Sequence, residues 1–108
     1  MGSVYAIWNR TNGKAYVGST GRPLRTRFRE HRKDLEAGRH HNRYLQNALN
    51  KHGPAAFNFD VLEKVRAAGT LLVREQAWID ELDSLDRTCG YNLKASAEWA
   101  AKTGRGWY

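Results

Sequence analysis

Two short runs of β-branched and aromatic residues, joined by a turn signal, constrain the fold of this chain more than any other stretch. The first run is Val4–Trp8 and the second is Lys14–Gly18, and each carries one tyrosine, Tyr5 or Tyr16. Between them stands Asn12–Gly13, and an Asn-Gly pair favours a tight hairpin because both residues tolerate positive φ. The sequence therefore predicts an antiparallel hairpin that brings the two tyrosines close together on one face of a sheet.

The positive charge of the chain is concentrated in its first half. The formal net charge is +7 over 108 residues. Residues 1–51 carry eleven basic and three acidic side chains, whereas the remainder carries seven basic and eight acidic ones. A basic half joined to a near-neutral half favours a surface that binds a polyanion, most often a nucleic acid. The same composition is compatible with a solvated basic helix that has no partner.

Length and composition predict a single domain over 1–108, with a core at about 4–92 and a short C-terminal tail at 93–108. No apolar run approaches the length of a membrane span, and no secretory signal opens the chain. The single cysteine, Cys89, excludes an internal disulfide framework and favours a reducing, cytoplasmic compartment. One cysteine beside four scattered histidines also disfavours a structural zinc site.

The stretch after the hairpin has helical periodicity. Pro23 is expected at the first position of a helix that runs to about Ala37 and ends at Gly38. Four residues recur on one side of this helix at the spacing of a helical stripe: Leu24, Phe28, His31 and Leu35. Arg27 lies four residues before His31, so the two side chains are expected to face the same site.

Two further helices and a strand complete the predicted elements. The second helix has Tyr44, Leu45, Ala48 and Leu49 on its apolar face and ends at 52–54. The strand is Phe57–Leu62, with Phe57, Phe59 and Val61 on one side. The third helix is expected to be capped by Thr70, and its apolar face holds Leu71, Leu72, Trp78, Ile79, Leu82 and Leu85.

Glu75 lies in the middle of the apolar face of the third helix. A carboxylate in such a place is costly unless a basic side chain or a metal ion pairs with it. The sequence leaves both partners open. Glu75 is therefore either a metal ligand or one half of a buried salt bridge to an arginine.

Taken in this order, the segments from Val4 to about Asn92 resemble the GIY-YIG nuclease family. Residues 3–5 stand where the family has Gly-Ile-Tyr, and residues 16–18 where it has Tyr-Ile-Gly, about ten residues further on. The helix with Arg27, the segment Asn50–Gly53, Glu75 and Gly90–Asn92 follow in the family's order. This sequence departs from the motif in having serine for the first glycine and valine for isoleucine twice.

Within that family, this sequence is most similar to the catalytic domains of phage and intron homing endonucleases. The resemblance implies an α+β fold with a small three-stranded antiparallel sheet flanked by helices. It also implies an endonuclease that hydrolyses DNA with one Mg²⁺ or Mn²⁺ ion, acts on phage or host DNA, and needs no small-molecule cofactor or membrane. The implied catalytic residues are Tyr5, Tyr16, Arg27, His31, His40, Glu75 and Asn92.

The implied chemistry gives each residue a role. Phosphodiester hydrolysis needs an activated water and charge stabilisation at phosphorus. Tyr5 is the expected general base, with His31 taking or relaying its proton, and Tyr16 orients the water or the phosphate. Arg27 faces the phosphate, and Glu75 holds the metal ion. The resemblance supports the pair of tyrosines better than it supports either separate role.

The expected DNA contacts come from the basic half of the chain, namely Arg22, Arg25, Arg29, Arg32, Lys33 and Arg43. Two alternatives remain at this point. One is a nucleic-acid-binding module without catalysis. The other is a nuclease specific for single strands or for a DNA structure, in which Trp99, Trp107 and Tyr108 stack on unpaired bases.

Overall fold

The computed structural model describes residues 2–67 and 69–93, and these form a three-stranded antiparallel sheet with three helices. The strands are β1 (Gly2–Asn9), β2 (Ala15–Thr20) and β3 (Phe57–Val65); the helices are α1 (Leu24–Glu36), α2 (Arg43–His52) and α3 (Leu71–Leu82). The strand order is β2-β1-β3, so β1 is the central strand. The predicted fold class is confirmed. The aromatic residues of the tail, Trp99, Trp107 and Tyr108, lie outside the described residues.

The hairpin forms at the predicted place. Tyr5 pairs with Gly18 and Ile7 pairs with Tyr16, so both tyrosines lie on one face of the sheet, as predicted. The connection is wider than a two-residue turn, because the Asn9 carbonyl accepts the amide of Gly13 at 2.8 Å. Gly13 has a φ of +76°, whereas Asn12 does not adopt positive φ. Of the Asn-Gly pair that predicted the turn, only the glycine therefore adopts positive φ.

Both faces of the sheet are covered. Successive strand residues point to opposite faces, and the two sets of apolar side chains form two separate cores. The core towards α1 and α2 contains Ile7, Leu35, Leu45, Ala48, Phe57 and Tyr91. The core towards α3 contains Val4, Val17, Val65 and Ile79.

A bulge divides β3. Tyr5 pairs with Val61 and Val4 pairs with Glu63, which leaves Leu62 as an extra residue in β3. Val61 is 43% exposed, so the predicted apolar side of this strand is solvated at that position. Because of the bulge, Leu62 and Glu63 both contribute to the side of the sheet that faces α3. Leu62 packs on the core there, and Glu63 accepts a hydrogen bond from Trp78.

The helix ends differ from the sequence predictions in three places. Pro23 precedes α1 instead of occupying its first turn. The Thr70 hydroxyl donates to the carbonyl of Ala67 and makes no capping hydrogen bond to α3. Helix α3 ends at Leu82 because Asp83 adopts the left-handed conformation, with a φ of 52°, and Leu85 therefore lies beyond the helix and is exposed. No helix among the described residues is long and apolar enough to cross a membrane.

Residues 90–92 close the outer edge of β2. The Tyr91 amide donates to the Ala15 carbonyl at 2.9 Å, and the side-chain amide of Asn92 pairs with both main-chain groups of Val17. A side chain at Gly90 would collide with the backbone of Ser84. The glycine is therefore required for this segment to lie against the strand.

Candidate active site

The glycine of β2 makes room for the tyrosine of β1. Tyr5 is 1% exposed, and its ring lies across Gly18, the residue with which it pairs. A Cβ atom at Gly18 would stand 2.6 Å from the Tyr5 hydroxyl oxygen. Position 18 therefore cannot carry a side chain unless Tyr5 moves, which explains why the two motif segments occur together.

A chain of hydrogen bonds connects Tyr5 with His31, His40 and the start of α2. The Tyr5 hydroxyl oxygen lies 2.6 Å from Nε2 of His31, and Nδ1 of His31 lies 2.7 Å from Nε2 of His40. Nδ1 of His40 accepts the main-chain amide of Asn42 at 3.0 Å. Both histidines are buried. Strand β1, the middle of α1 and the residues just before α2 thus meet at one polar chain.

Which atoms donate along this chain follows from the hydrogen bond at its His40 end. Since Nδ1 of His40 accepts an N–H, the proton of neutral His40 is on Nε2, and it donates to Nδ1 of His31. The proton of neutral His31 is then on its own Nε2, and it donates to Tyr5. Tyr5 is therefore an acceptor in this chain, and its own O–H proton points away from His31.

Burial keeps both histidines neutral. Loss of solvation, with the nearby positive charge of Arg27, lowers the pKa of His31 to about 3. Loss of solvation, with its neighbour His41, lowers the pKa of His40 to about 4. At neutral pH each ring therefore carries a single proton, as the direction of the chain requires.

The two tyrosines stand in different surroundings. Burial raises the pKa of Tyr5, and the charge of Arg27 opposes this. Burial also raises the pKa of Tyr16, and the negative charges of Tyr5 and Glu75 add to the effect. The Tyr16 hydroxyl lies 3.4 Å from Nε2 of the exposed His41, while the Tyr16 ring packs edge-on against the rings of His31 and His40. Of the two, Tyr5 has the surroundings that better stabilise a phenolate.

Arg27 is held by an acid that the sequence analysis missed. Glu30 binds Arg27 at 3.1 Å and also takes two hydrogen bonds from Arg22, at 2.8 and 2.9 Å. These two arginines lower the pKa of Glu30 to about 2, although its side chain is largely exposed to solvent. The spacing of three residues between Arg27 and Glu30 on one helix was the available signal. Glu30 fixes the direction of the Arg27 guanidinium.

Glu75 lies on the opposite face of the sheet from Tyr5, the face towards α3. Ser19 lies on the α3 side of β2, where it pairs with Val4, and its hydroxyl donates to the Glu75 carboxylate. Burial raises the pKa of Glu75, and the Ser19 hydrogen bond opposes this. Among the described residues the ion pairs are Arg22–Glu30, Arg27–Glu30 and Arg74–Glu63, so none of them includes Glu75. The buried salt bridge that the sequence left open is therefore not formed within this part of the chain.

The donor set at Glu75 suits an ion that keeps most of its water. Within 2–67 and 69–93 there is no group of three or more histidine, cysteine, aspartate or glutamate side chains that could hold a metal ion. Mg²⁺ is commonly bound by one or two carboxylates together with waters and substrate phosphates. A single half-buried carboxylate without a cationic partner fits that mode of binding.

Comparison with known proteins decides the family. Residues 1–92 match the sequence profile of the GIY-YIG catalytic domain. The chain belongs to the GIY-YIG nuclease family. The resemblance seen in the sequence is thereby confirmed.

Two relatives are similar to this GIY-YIG domain in sequence. Intron-associated endonuclease 1 of Enterobacteria phage T4 is 41% identical over 91 residues, which is 83% of this chain and 36% of that protein. Uncharacterized protein 019R of Invertebrate iridescent virus 6 is 31% identical over 97 residues, which is 88% of this chain and 34% of that protein. The chain spans about a third of the length of these relatives.

Two solved structures are similar in fold. The catalytic domain of homing endonuclease I-TevI has a TM-score of 0.76 at 37% identity and covers 86% of this chain and 98% of its own. An E75A mutant of the catalytic domain of intron endonuclease I-TevI has a TM-score of 0.78 at 37% identity, with 90% and 98% covered. The similarity therefore extends over nearly the whole of that catalytic domain.

Asn92 binds the main chain of β2 and not the proposed reacting groups themselves. Its Oδ1 accepts the Val17 amide at 2.7 Å, and its Nδ2 donates to the Val17 carbonyl at 2.9 Å. Asn92 thus fastens the strand that carries Tyr16 and does not contact either tyrosine hydroxyl through these bonds. Its predicted role in closing the site is consistent with positioning.

The predicted DNA contacts of the GIY-YIG domain lie just before α1, on α1 and at the start of α2. Five of the six are exposed without an acidic partner among the described residues: Arg25, Arg29, Arg32, Lys33 and Arg43. Arg22, the sixth, is tied to Glu30. Arg32 also lies over the ring of Phe59, at 4.9 Å from the ring centre, so part of its side chain packs on the protein.

Proposed function

We propose that this chain is a metal-dependent endonuclease that hydrolyses phosphodiester bonds in DNA. The named relative is an endonuclease, and GIY-YIG nucleases generally depend on a metal ion. The observation that carries the proposal is the position of Glu75, a half-buried carboxylate without a cationic partner among the described residues, across β2 from Tyr5 and Arg27. A module that only binds nucleic acid has no use for an acid in that place.

Glu75 would hold one Mg²⁺ or Mn²⁺ ion through its carboxylate, with Ser19 fixing one of the two oxygens. When bound, the ion supplies positive charge to a phosphate oxygen. Arg27 supplies a second positive charge, and its salt bridge to Glu30 keeps the guanidinium in one orientation.

Tyr5 is proposed as the general base, with a changed role for His31. Because His31 Nε2 already carries a proton, it donates to the Tyr5 oxygen and stabilises the phenolate, and it does not take the Tyr5 proton. The phenol proton leaves to a water molecule in the site, on the side of the Tyr5 oxygen that faces away from His31. The phenolate then takes a proton from water while that water attacks phosphorus, the bond to the leaving oxygen breaks, and this oxygen is protonated by solvent.

The remaining residues orient the reaction. Tyr16 is proposed to position the water or the phosphate, and His41 contacts its hydroxyl. Asn92 holds the strand that carries Tyr16. The basic surface of α1 is proposed to bind the DNA backbone.

Cleavage assays test the proposal. Supercoiled plasmid, single-stranded DNA and RNA are incubated with the protein in Mg²⁺ or in EDTA. We expect DNA cleavage in Mg²⁺ only, and a loss of about 10²–10⁴-fold in Tyr5→Phe. Thr70→Val, which removes a hydroxyl group at the start of α3, serves as the control. DNA binding without cleavage under every condition would favour the binding module, and cleavage of single strands alone would favour the alternative nuclease.

The direction of the hydrogen-bond chain has its own test. Nitrogen-15 NMR distinguishes a protonated from an unprotonated ring nitrogen. We expect His31 and His40 both to be protonated on Nε2 and not on Nδ1 at neutral pH. A proton on Nδ1 of His31 would restore the role of proton acceptor from Tyr5.

A further inference from the structure

A polar cleft separate from the catalytic groups lies between α2, the β1–β2 loop and residues 87–91. Its volume is about 420 Å³. The polar, basic and aromatic side chains that line it include Asn12, Lys14, Tyr44, Lys51, His52 and Arg87. None of the described residues that line it is acidic. The proposed catalytic mechanism uses none of these residues.

Arg87 is held in place at the wall of this cleft. One of its terminal nitrogens donates to the carbonyls of Leu85 and Asn92, and its guanidinium lies 4.3 Å from the centre of the Tyr44 ring. A guanidinium has five N–H donors, so those on its other two nitrogens remain for a ligand. An arginine already fixed by main-chain groups loses little side-chain entropy when it binds.

The three cations of the cleft form no ion pair among the described residues, although the charge of Asp86 interacts with that of Arg87. The three ion pairs among residues 2–67 and 69–93 include neither Lys14, Lys51 nor Arg87. Lys14 comes from the hairpin loop, Lys51 from the last turn of α2 and Arg87 from the turn after α3. Three segments distant in sequence therefore present cations to one concave surface, which favours an anionic ligand.

We propose that this cleft binds backbone phosphates of the substrate DNA at some distance from the bond that is cut. This rests on the DNA substrate proposed above. Helix α2 connects the two places: Asn42, at its start, binds His40, and Lys51 lies in its last turn. Ten helical residues span about 15 Å. The cleft and the polar chain at His40 therefore lie at opposite ends of one helix of about that length.

The cleft extends the proposed DNA-binding surface to the other side of α2. The arginines of α1 and Arg43 are expected to contact the backbone near the cut. Lys14, Lys51 and Arg87 would contact it farther along. A nuclease domain that contacts the DNA backbone at two places fixes the orientation of the DNA as well as binding it.

The experiment removes two charges from the cleft and compares the result with the same loss elsewhere. The cleft variant carries Lys14→Gln and Lys51→Gln, and the control carries Lys64→Gln and Arg66→Gln, which are exposed at the end of β3. Affinity for a labelled duplex is measured in EDTA over a range of salt. Each phosphate contact contributes about 0.9 to the slope of log K against log salt. We expect the slope of the cleft variant to fall by about 1.8 and that of the control by less than half as much.

Cleavage kinetics and a small anion complete the test. We expect the cleft variant to raise KM for DNA and to leave kcat at saturating DNA unchanged. Equal slopes for the cleft and control variants, with wild-type cleavage intact, would overturn this inference alone. Saturable binding of inorganic phosphate that is lost in the cleft variant, with no change in DNA binding, would make the cleft a site for a free anion and would also overturn it. A wild-type protein that neither binds nor cuts DNA would refute the proposed function itself.

Discussion

The two faces of the sheet are buried to a similar degree but are built from different chemistry. Towards α3, Val4, Val17 and Ile79 meet through apolar contacts. Towards α1, Tyr5 and His31 are each only 1% exposed, at the same depth as the apolar residues beside them. Their polar atoms are buried because each has a partner, from the Tyr5 oxygen to the Asn42 amide.

This difference determines what each face can tolerate. An apolar core accepts another side chain of similar volume at small cost, because contact area decides its contribution. A hydrogen-bonded chain depends on the identity of every member, since removing one partner leaves a buried donor or acceptor unsatisfied. The α3 face should therefore respond to mutation through stability alone, whereas the polar chain on the α1 face should respond through both activity and stability. Glu75 is the residue that does not follow this division.

Among the changes that test this division between the two faces, Glu75→Gln is expected to have the largest effect. By position Glu75 belongs to the α3 face, but we expect cleavage to fall by about 10²–10³-fold or more, because an amide is a weaker ligand for a hard cation. The melting temperature should stay near the wild-type value, and DNA binding should be at least as tight, because a negative charge near the phosphate is gone. Glu81→Gln, an exposed position on the same helix, is the control. A loss of about 3–5 kcal/mol in the free energy of unfolding would instead indicate a buried salt bridge.

Gly18→Ala should have the next largest effect. The new methyl group would stand 2.6 Å from the Tyr5 hydroxyl oxygen, so Tyr5 must move from His31. Displacement of a reacting group by about 1 Å costs about 10²-fold in rate. Gly21→Ala is a matched control, because a Cβ at Gly21 meets nothing within 4 Å. Equal cleavage rates for the two variants would show that the Tyr5 position does not limit catalysis.

Stability should depend on pH through the two buried histidines. The folded protein keeps His31 and His40 neutral down to pKa values of about 3 and about 4, whereas the unfolded chain takes up protons below pH 6.5. Stability should therefore fall as the pH falls from about 6.5 towards 4, by about 1.4 kcal/mol per pH unit for each histidine. Thermal melts of the wild type and of His40→Asn measure this. The variant should show a shallower decline, and an unchanged slope would mean that His40 is not held neutral by the fold.

Ile79→Val should have the smallest effect and would sharpen the contrast between the two faces. The loss of one methylene group from the α3 core is expected to cost about 0.5–1.5 kcal/mol in the free energy of unfolding. The cleavage rate per folded molecule should not change, because Ile79 contacts the apolar core and not the polar chain. Chemical denaturation and cleavage assays on the same preparation give both values. A drop in rate well beyond the fraction unfolded would mean that the two faces are coupled.

Local periodicity predicted much of this arrangement. The alternation of the two strands placed Tyr5 and Tyr16 on one face, and helical spacing placed Arg27 beside His31. The position of Glu75 in an apolar stripe marked it as needing a partner. These features depend on neighbours within one element, and a sequence shows such neighbours directly.

Other parts of the site had no local sign in the sequence. The main-chain amide of Asn42 sets the direction of the histidine chain, and any residue except proline has such an amide. Ser19 meets Glu75 only after α3 packs against the sheet, 56 residues further along the chain. The bulge at Leu62 and the left-handed Asp83 also depend on packing, so the face of Glu63 and the end of α3 were not predictable from alternation or propensity.

The pairing of Asn92 with Val17 has a consequence for how this protein behaves at high concentration. An edge strand with unpaired amides and carbonyls is a template on which another molecule can add its own strand. On β2 the main-chain groups of Val17 are already occupied by the Asn92 side chain, and those of Ala15 bind the segment beside it. On the opposite edge, the bulge and the charged residues of β3 interrupt a flat surface. The same asparagine that holds the strand with Tyr16 in place thus also protects the domain against strand-to-strand aggregation.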